Sequence, residues 1–192
     1  MIALITTFRS GATFLSYQLE RCTQEDIRFI HPNIYDGEYK YLDHDTITIL
    51  RNPLDALCST ISMQYPNGWD DDVYGYVPRN IEYYIECYKY FKNNIKLFID
   101  YNDLLNRPQE TFDMICSEFN LNKTRERLIP QEEYESWHTS TLVSWKMVSS
   151  KKLSKNYFNI KNLLINEIDL SECYNLYEDL LLNVKHPIIE KE

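Results

Sequence analysis

Only four glycines occur in this chain of 192 residues, and one of them, Gly11, stands where an apolar run breaks into a polar turn. That scarcity excludes a glycine-rich phosphate loop. A Walker A motif requires Gly-x-x-x-x-Gly-Lys followed by Ser or Thr, whereas here Gly11 is the only loop glycine and the basic residue, Arg9, precedes it. An acidic strand end of the Walker B kind is also missing, since the run ITIL ends in Arg51, which weighs against a magnesium-dependent NTPase. The five cysteines (Cys22, Cys58, Cys87, Cys116, Cys173) are odd in number, far apart and contain no Cys-x-x-Cys pair. They therefore signal neither a zinc site nor a disulfide framework, and their apolar neighbours make them small buried thiols. No stretch reaches the apolar length of a membrane span. The chain opens directly on IALIT without a basic segment and long apolar core ahead of it, so a cytoplasmic protein without a signal peptide is expected. Positive charge is in deficit, with a net charge of −9, which excludes a non-specific grip on nucleic acid or a polyanionic glycan. Any anion site must be a local concentration of cations and backbone donors.

What is present is an ordinary soluble composition, 44% hydrophobic and 26% charged, in a length that suits one domain over residues 1–192. Ile2–Thr6 reads as a strand buried on both faces, and Phe14, Leu15, Leu19 and Cys22 as one face of a helix from Ala12 to Arg21. Ile27, Phe29 and His31 mark a second strand closed by Pro32, and Thr46–Leu50 a third, β-branched one. Asn52 is placed to cap the next helix and Pro53 suits its first turn. YPNGWDDDVYGYVP has no clear period; Ile81, Tyr84, Ile85, Tyr88 and Phe91 then line a helix, IKLFID is a strand, and Pro108 opens a helix burying Phe112, Ile115, Cys116 and Phe119. Residues 120–158 read as charged and irregular, and Cys173, Leu176, Tyr177, Leu180 and Leu181 as a last helix. Alternating strands and helices imply an α/β fold of three layers, a mainly parallel sheet flanked by helices.

Chemistry concentrates in three segments. TTFRSGATFL joins the first strand to its helix, a junction that aims free N–H groups and the positive helix end at one point, with Arg9 as a fork of donors for a tetrahedral oxyanion. Taken alone it also reads as a solvated turn. ITILRNPLDALCSTIS places Arg51 at a strand end and Ser59 eight positions on, two helical turns into the helix, where both suit one phosphate. FIDYNDLLNRPQETFDMICSEFNL is a third strand end followed by helices.

In order and context these segments resemble the sulfotransferases that use 3′-phosphoadenosine-5′-phosphosulfate (PAPS). TTFRSGATFL is similar to their 5′-phosphosulfate loop, LRNPLDALCS to their 3′-phosphate motif, and DYNDLLNRPQETFDMICSEFNL to their Tyr-Glu-Asp-Leu strand end with its helix. The likeness covers residues 2–65 and 95–121 and little of residues 122–192. It implies a P-loop NTPase-like sulfotransferase fold and transfer of a sulfuryl group from PAPS to a hydroxyl or amine of a small-molecule or glycan acceptor, with no metal, nucleic acid or membrane involved. It assigns the donor to Arg9, Ser10, Gly11, Ala12, Thr13, Phe14, Arg51, Ser59 and Tyr101, and catalysis to Arg9 and His31, the latter as base with Glu25 and Asp26 next in line. Departures are Phe8 for the usual Pro, Ala12 for a hydroxyl residue, and the late Arg-Lys-Gly motif, for which Ser150-Lys151-Lys152 is a weak stand-in. Two other readings stay open: an inactive nucleotide-binding or scaffolding protein of the same fold, and a small-molecule kinase. His44, His138 and His186 are expected at the surface.

Overall fold

The computed structural model describes residues 1–7, 10–30, 45–64, 73–141 and 155–188. The elements are β1 (Ile2–Ile5), α1 (Ala12–Cys22), β2 (Ile27–Ile30), β3 (Asp45–Leu50), α2 (Pro53–Gln64), α3 (Val73–Asn94), β4 (Leu97–Asp100), α4 (Tyr101–Asn106), α5 (Pro108–Glu118), α6 (Gln131–Thr141), α7 (Lys155–Glu167) and α8 (Ser171–Leu181). The four strands form one sheet in the order β2-β1-β3-β4, and every pairing is parallel. From β1 the chain crosses to one neighbour, β2, and then returns to the other side for β3. That reversal makes a crevice between the carboxyl ends of β1 and β3, the place where ligands bind in open parallel sheets.

Because side chains alternate along a strand, the two faces build separate cores. Ala3, Ile5, Leu50 and Phe98 pack with α2, α3, α7 and α8. Ile2, Leu4, Ile47, Ile49 and Ile99 pack with α1, α5 and Leu104 of α4. The α/β architecture with helices on both faces is thus observed. All five cysteines are free and buried in these cores, as their neighbours in sequence indicated.

Local signals operate as their chemistry demands. The side-chain oxygen of Asn52 accepts from the N–H groups of Leu54 and Asp55 at 3.1 and 3.5 Å, capping α2. Asp100 caps α4 by accepting from the N–H of Asn102 at 2.9 Å.

Three expectations need correction. The aperiodic stretch ends earlier than the apolar spacing indicates, because α3 starts at Val73 and carries Pro78 inside it. A proline this near the start forfeits one helical hydrogen bond, and buried Val77 holds the turn. Residues 120–158 are not irregular throughout. They contain α6, whose helical period is masked by Glu132, Glu133 and Glu135, and they run into α7, whose buried Tyr157, Ile160, Leu163 and Leu164 close the α2 side of the core. Beyond α8 the chain returns to the sheet, where Val184 forms a parallel bridge with Phe98 and the N–H of Lys185 donates to the carbonyl of Phe98 at 3.1 Å. No helix among the described residues is long and apolar enough to cross a membrane.

Candidate anion-binding site

The segment after β1 reaches α1 through Gly11, whose φ of +87° lies in the left-handed region. Glycine is favoured there on two counts. A Cβ would meet Leu104 Cδ2 at 3.2 Å and Tyr101 Cε2 at 3.3 Å, in addition to the cost of positive φ for any L side chain. Gly11 occupies the N-cap position without a side-chain cap, and no acidic residue follows in the first turn. The first N–H groups of α1 consequently lack intrahelical acceptors at the positive end of its dipole. Just before them Ser10 is 1% exposed and its Oγ has no hydrogen-bond partner among the described residues; Thr7 Oγ1 is in the same condition. A buried hydroxyl without a partner costs about 1–3 kcal/mol unless a ligand satisfies it.

Arg51 follows β3 across the crevice. Its backbone is held by two tyrosines from α3: the Tyr84 and Tyr88 hydroxyls donate to the Arg51 carbonyl at 3.0 and 3.2 Å, and the Arg51 N–H donates to Tyr88 Oη at 3.3 Å. The two rings stack 4.0 Å apart and are almost fully buried. Burial pushes both phenols well above the usual tyrosine pKa, so they act as neutral hydroxyls. The Arg51 guanidinium carbon stands 4.5 Å from the centroid of the Tyr101 ring. Tyr101 therefore packs on the residue after β3 and also fills the space that a side chain on the glycine after β1 would need.

Of the residues expected at the site, the fold brings Ser10, Gly11, Ala12, Thr13, Arg51 and Tyr101 to the carboxyl ends of β1, β3 and β4. Ala12 is buried in the α1 core. Ser59 is half-buried, two turns along α2. Phe14 packs edge-on against Tyr134 of α6 with centroids 5.2 Å apart, and Tyr17 and Trp137 complete that aromatic cluster. Arg9, His31, His44, Lys151 and Lys152 lie outside the described residues, as does much of the Tyr65–Tyr76 stretch.

Glu25 and Asp26 stand away from this crevice. They precede β2 at the amino edge of the sheet, where Glu25 pairs with the terminal ammonium of Met1 at 3.3 Å and the Asp26 carbonyl accepts from the N–H of Ile2. A four-residue strand separates them from the crevice by about 13 Å. His186 is exposed, but its Nδ1 lies 2.6 Å from Oδ2 of Asp103, a partner that sequence spacing gave no means of finding. Tyr84, Tyr88 and Thr7 are the site residues that sequence reasoning missed. Their signal was an apolar or β-branched period, indistinguishable from core.

No family model and no curated protein matches this chain.

Proposed function

We propose that the protein is a sulfotransferase that moves a sulfuryl group from PAPS to a hydroxyl or amine of an acceptor. The observation that carries the reading is the position of one ring, Tyr101, under the Arg51 guanidinium and within 3.3 Å of where a Cβ on Gly11 would sit, which sets the loop after β1 beside the cation after β3 at the switch point of the sheet. The Ser10 hydroxyl, without a partner among the described residues, and the start of α1, without a side-chain cap, suit an anionic group. In this reading the N–H groups of Ser10, Gly11, Ala12 and Thr13 hold the 5′ end of the donor, Arg51 and Ser59 hold its 3′-phosphate, and Phe14 lies toward the base.

When bound, PAPS supplies the sulfuryl group and a phosphate leaving group. The chain contributes fixed donors aimed where negative charge grows, which cost no reorganisation as the reaction proceeds. Arg9 adds its charge at that point, and His31 takes the acceptor proton as general base. Calorimetry tests the donor site. Adenosine 3′,5′-bisphosphate should bind at least about tenfold more tightly than adenosine 5′-monophosphate, a difference of about 1.4 kcal/mol. Equal affinities, or a preference for ATP with magnesium, would remove the reading.

A further inference from the structure

Helix α4 has six residues, too few to hold itself in water, so its place is set by what grips it. On one side Tyr101 lies under the Arg51 guanidinium, and both Tyr101 and Leu104 fill the space against Gly11. Asp103 is two positions from Tyr101 and so faces away from it around the helix. It is 7% exposed, and its two carboxylate oxygens have separate partners. Oδ1 accepts from Arg107 at the end of α4, and Oδ2 lies 2.6 Å from Nδ1 of His186, 83 residues further on.

His186 belongs to a strap that leaves α8 and runs beside β4. The N–H groups of Asn183 and Val184 donate to the carbonyls of Leu180 and Leu181 at 3.0 and 3.1 Å, which anchors its start. Val184 bridges Phe98, the Lys185 N–H donates to the Phe98 carbonyl, and the Lys185 ammonium pairs with Glu118 of α5. Pro187 is buried, while the His186 side chain is 58% exposed and Ile188 is 86% exposed. With so little buried, the strap belongs to the parts of a fold that open locally before the core does. When it opens, the buried Asp103 carboxylate keeps Arg107 but loses its second partner, which costs free energy until the group turns toward water. A helix of six residues turns with it, and Tyr101 and Leu104 move off Arg51 and Gly11.

We propose that the strap formed by residues 184–187 governs the anion site through α4: seated, it holds Tyr101 and Leu104 against the loop after β1, and released, it weakens the site. Asp103 and His186 are then positioning residues, which touch no ligand themselves. The ligand in this statement rests on the sulfuryl-donor reading; the mechanical link from His186 to Gly11 does not.

The test is NMR of the full chain, with exchange of the Lys185 N–H reporting the strap and the Gly11 N–H resonance reporting the loop. His186→Ala should speed Lys185 exchange by about 2- to 13-fold relative to the Ile49 amide of the core, the range for one ordinary hydrogen bond, and should move the Gly11 resonance. His186→Asn, whose amide can still donate to Asp103, should leave both near wild type. Gly11→Ala, which presses on Tyr101 and Leu104 from the other side, should speed Lys185 exchange in turn. Adenosine 3′,5′-bisphosphate at saturation should slow Lys185 exchange, and His186→Ala should bind it more weakly, because coupling between two sites is reciprocal. An unmoved Gly11 resonance in His186→Ala, or Lys185 exchange indifferent to Gly11→Ala, would overturn the strap whatever the ligand does. Bisphosphate that binds without slowing Lys185 exchange would overturn its hold over the site. Bisphosphate that does not bind the wild-type chain retires the donor reading instead, and the two ligand-free measurements then decide the strap.

Discussion

The guanidinium of Arg51 rests 4.5 Å from the centre of the Tyr101 ring, and the edge of that ring lies 3.3 Å from where a Cβ on Gly11 would sit. Two loops more than thirty residues apart in sequence are thereby registered on one side chain. Tyr101→Ala should release Arg51 and weaken binding of adenosine 3′,5′-bisphosphate by about 2- to 30-fold, the span of a cation–π contact from exposed to desolvated. Tyr101→Phe keeps the ring and should bind as wild type. Calorimetry on the two variants distinguishes the ring from its hydroxyl.

Arg51→Ala should cost more. A charged hydrogen bond contributes about 1.5–3 kcal/mol, so bisphosphate affinity should fall at least about tenfold, with Ser59→Ala milder. Unchanged affinity in Arg51→Ala would mean that the eight-residue spacing is coincidence.

Gly11→Ala tests the loop as backbone. Positive φ costs an L residue about 1–2 kcal/mol, and the new methyl also presses on Leu104 and Tyr101. The melting temperature should drop by about 2–8 °C, with a loss of bisphosphate binding beyond that of a neutral surface change.

Tyr88→Phe removes a hydroxyl that serves both backbone groups of Arg51. The Arg51 carbonyl keeps Tyr84, but its N–H loses its acceptor, at a cost of about 1–3 kcal/mol. Thermal denaturation should register the loss, and bisphosphate affinity should fall with it because Arg51 is no longer held.

The tail should release in acid. Burial works against the charged Asp103 carboxylate, but hydrogen bonds from His186 and Arg107 outweigh it and hold the group below its ordinary value of 3.8. A depressed carboxylate contributes stability that is present above that ordinary value and is lost as pH falls through the folded value. Stability should therefore decline below about pH 4, and Asp103→Asn should be less stable at neutral pH yet show a flatter acid limb in a series of melting curves.

The sequence by itself determined the elements whose period is clean and whose caps are local. Buried β1 and β3, the Asn52 cap, the Tyr84, Tyr88 and Phe91 face of α3 and the Phe112 and Ile115 face of α5 follow from neighbours within a few positions, and so does the strand–turn–helix at Gly11. Helix α6 escaped because the exposed Glu132, Glu133 and Glu135 dilute its apolar period, and the start of α7 because few apolar residues lie there. Only the tertiary structure decided the strand order β2-β1-β3-β4, which puts Gly11 and Arg51 on either side of one crevice, and the separation of Glu25 and Asp26 to the far edge. It alone also paired Asp103 with His186 and left the Thr7 and Ser10 hydroxyls buried without partners among the described residues. The physical reason is that a helix turn or a cap is a bond between near neighbours, whereas strand order and burial depend on which distant apolar faces cover one another, and the polar groups left at that seam carry no mark of it in their own segment.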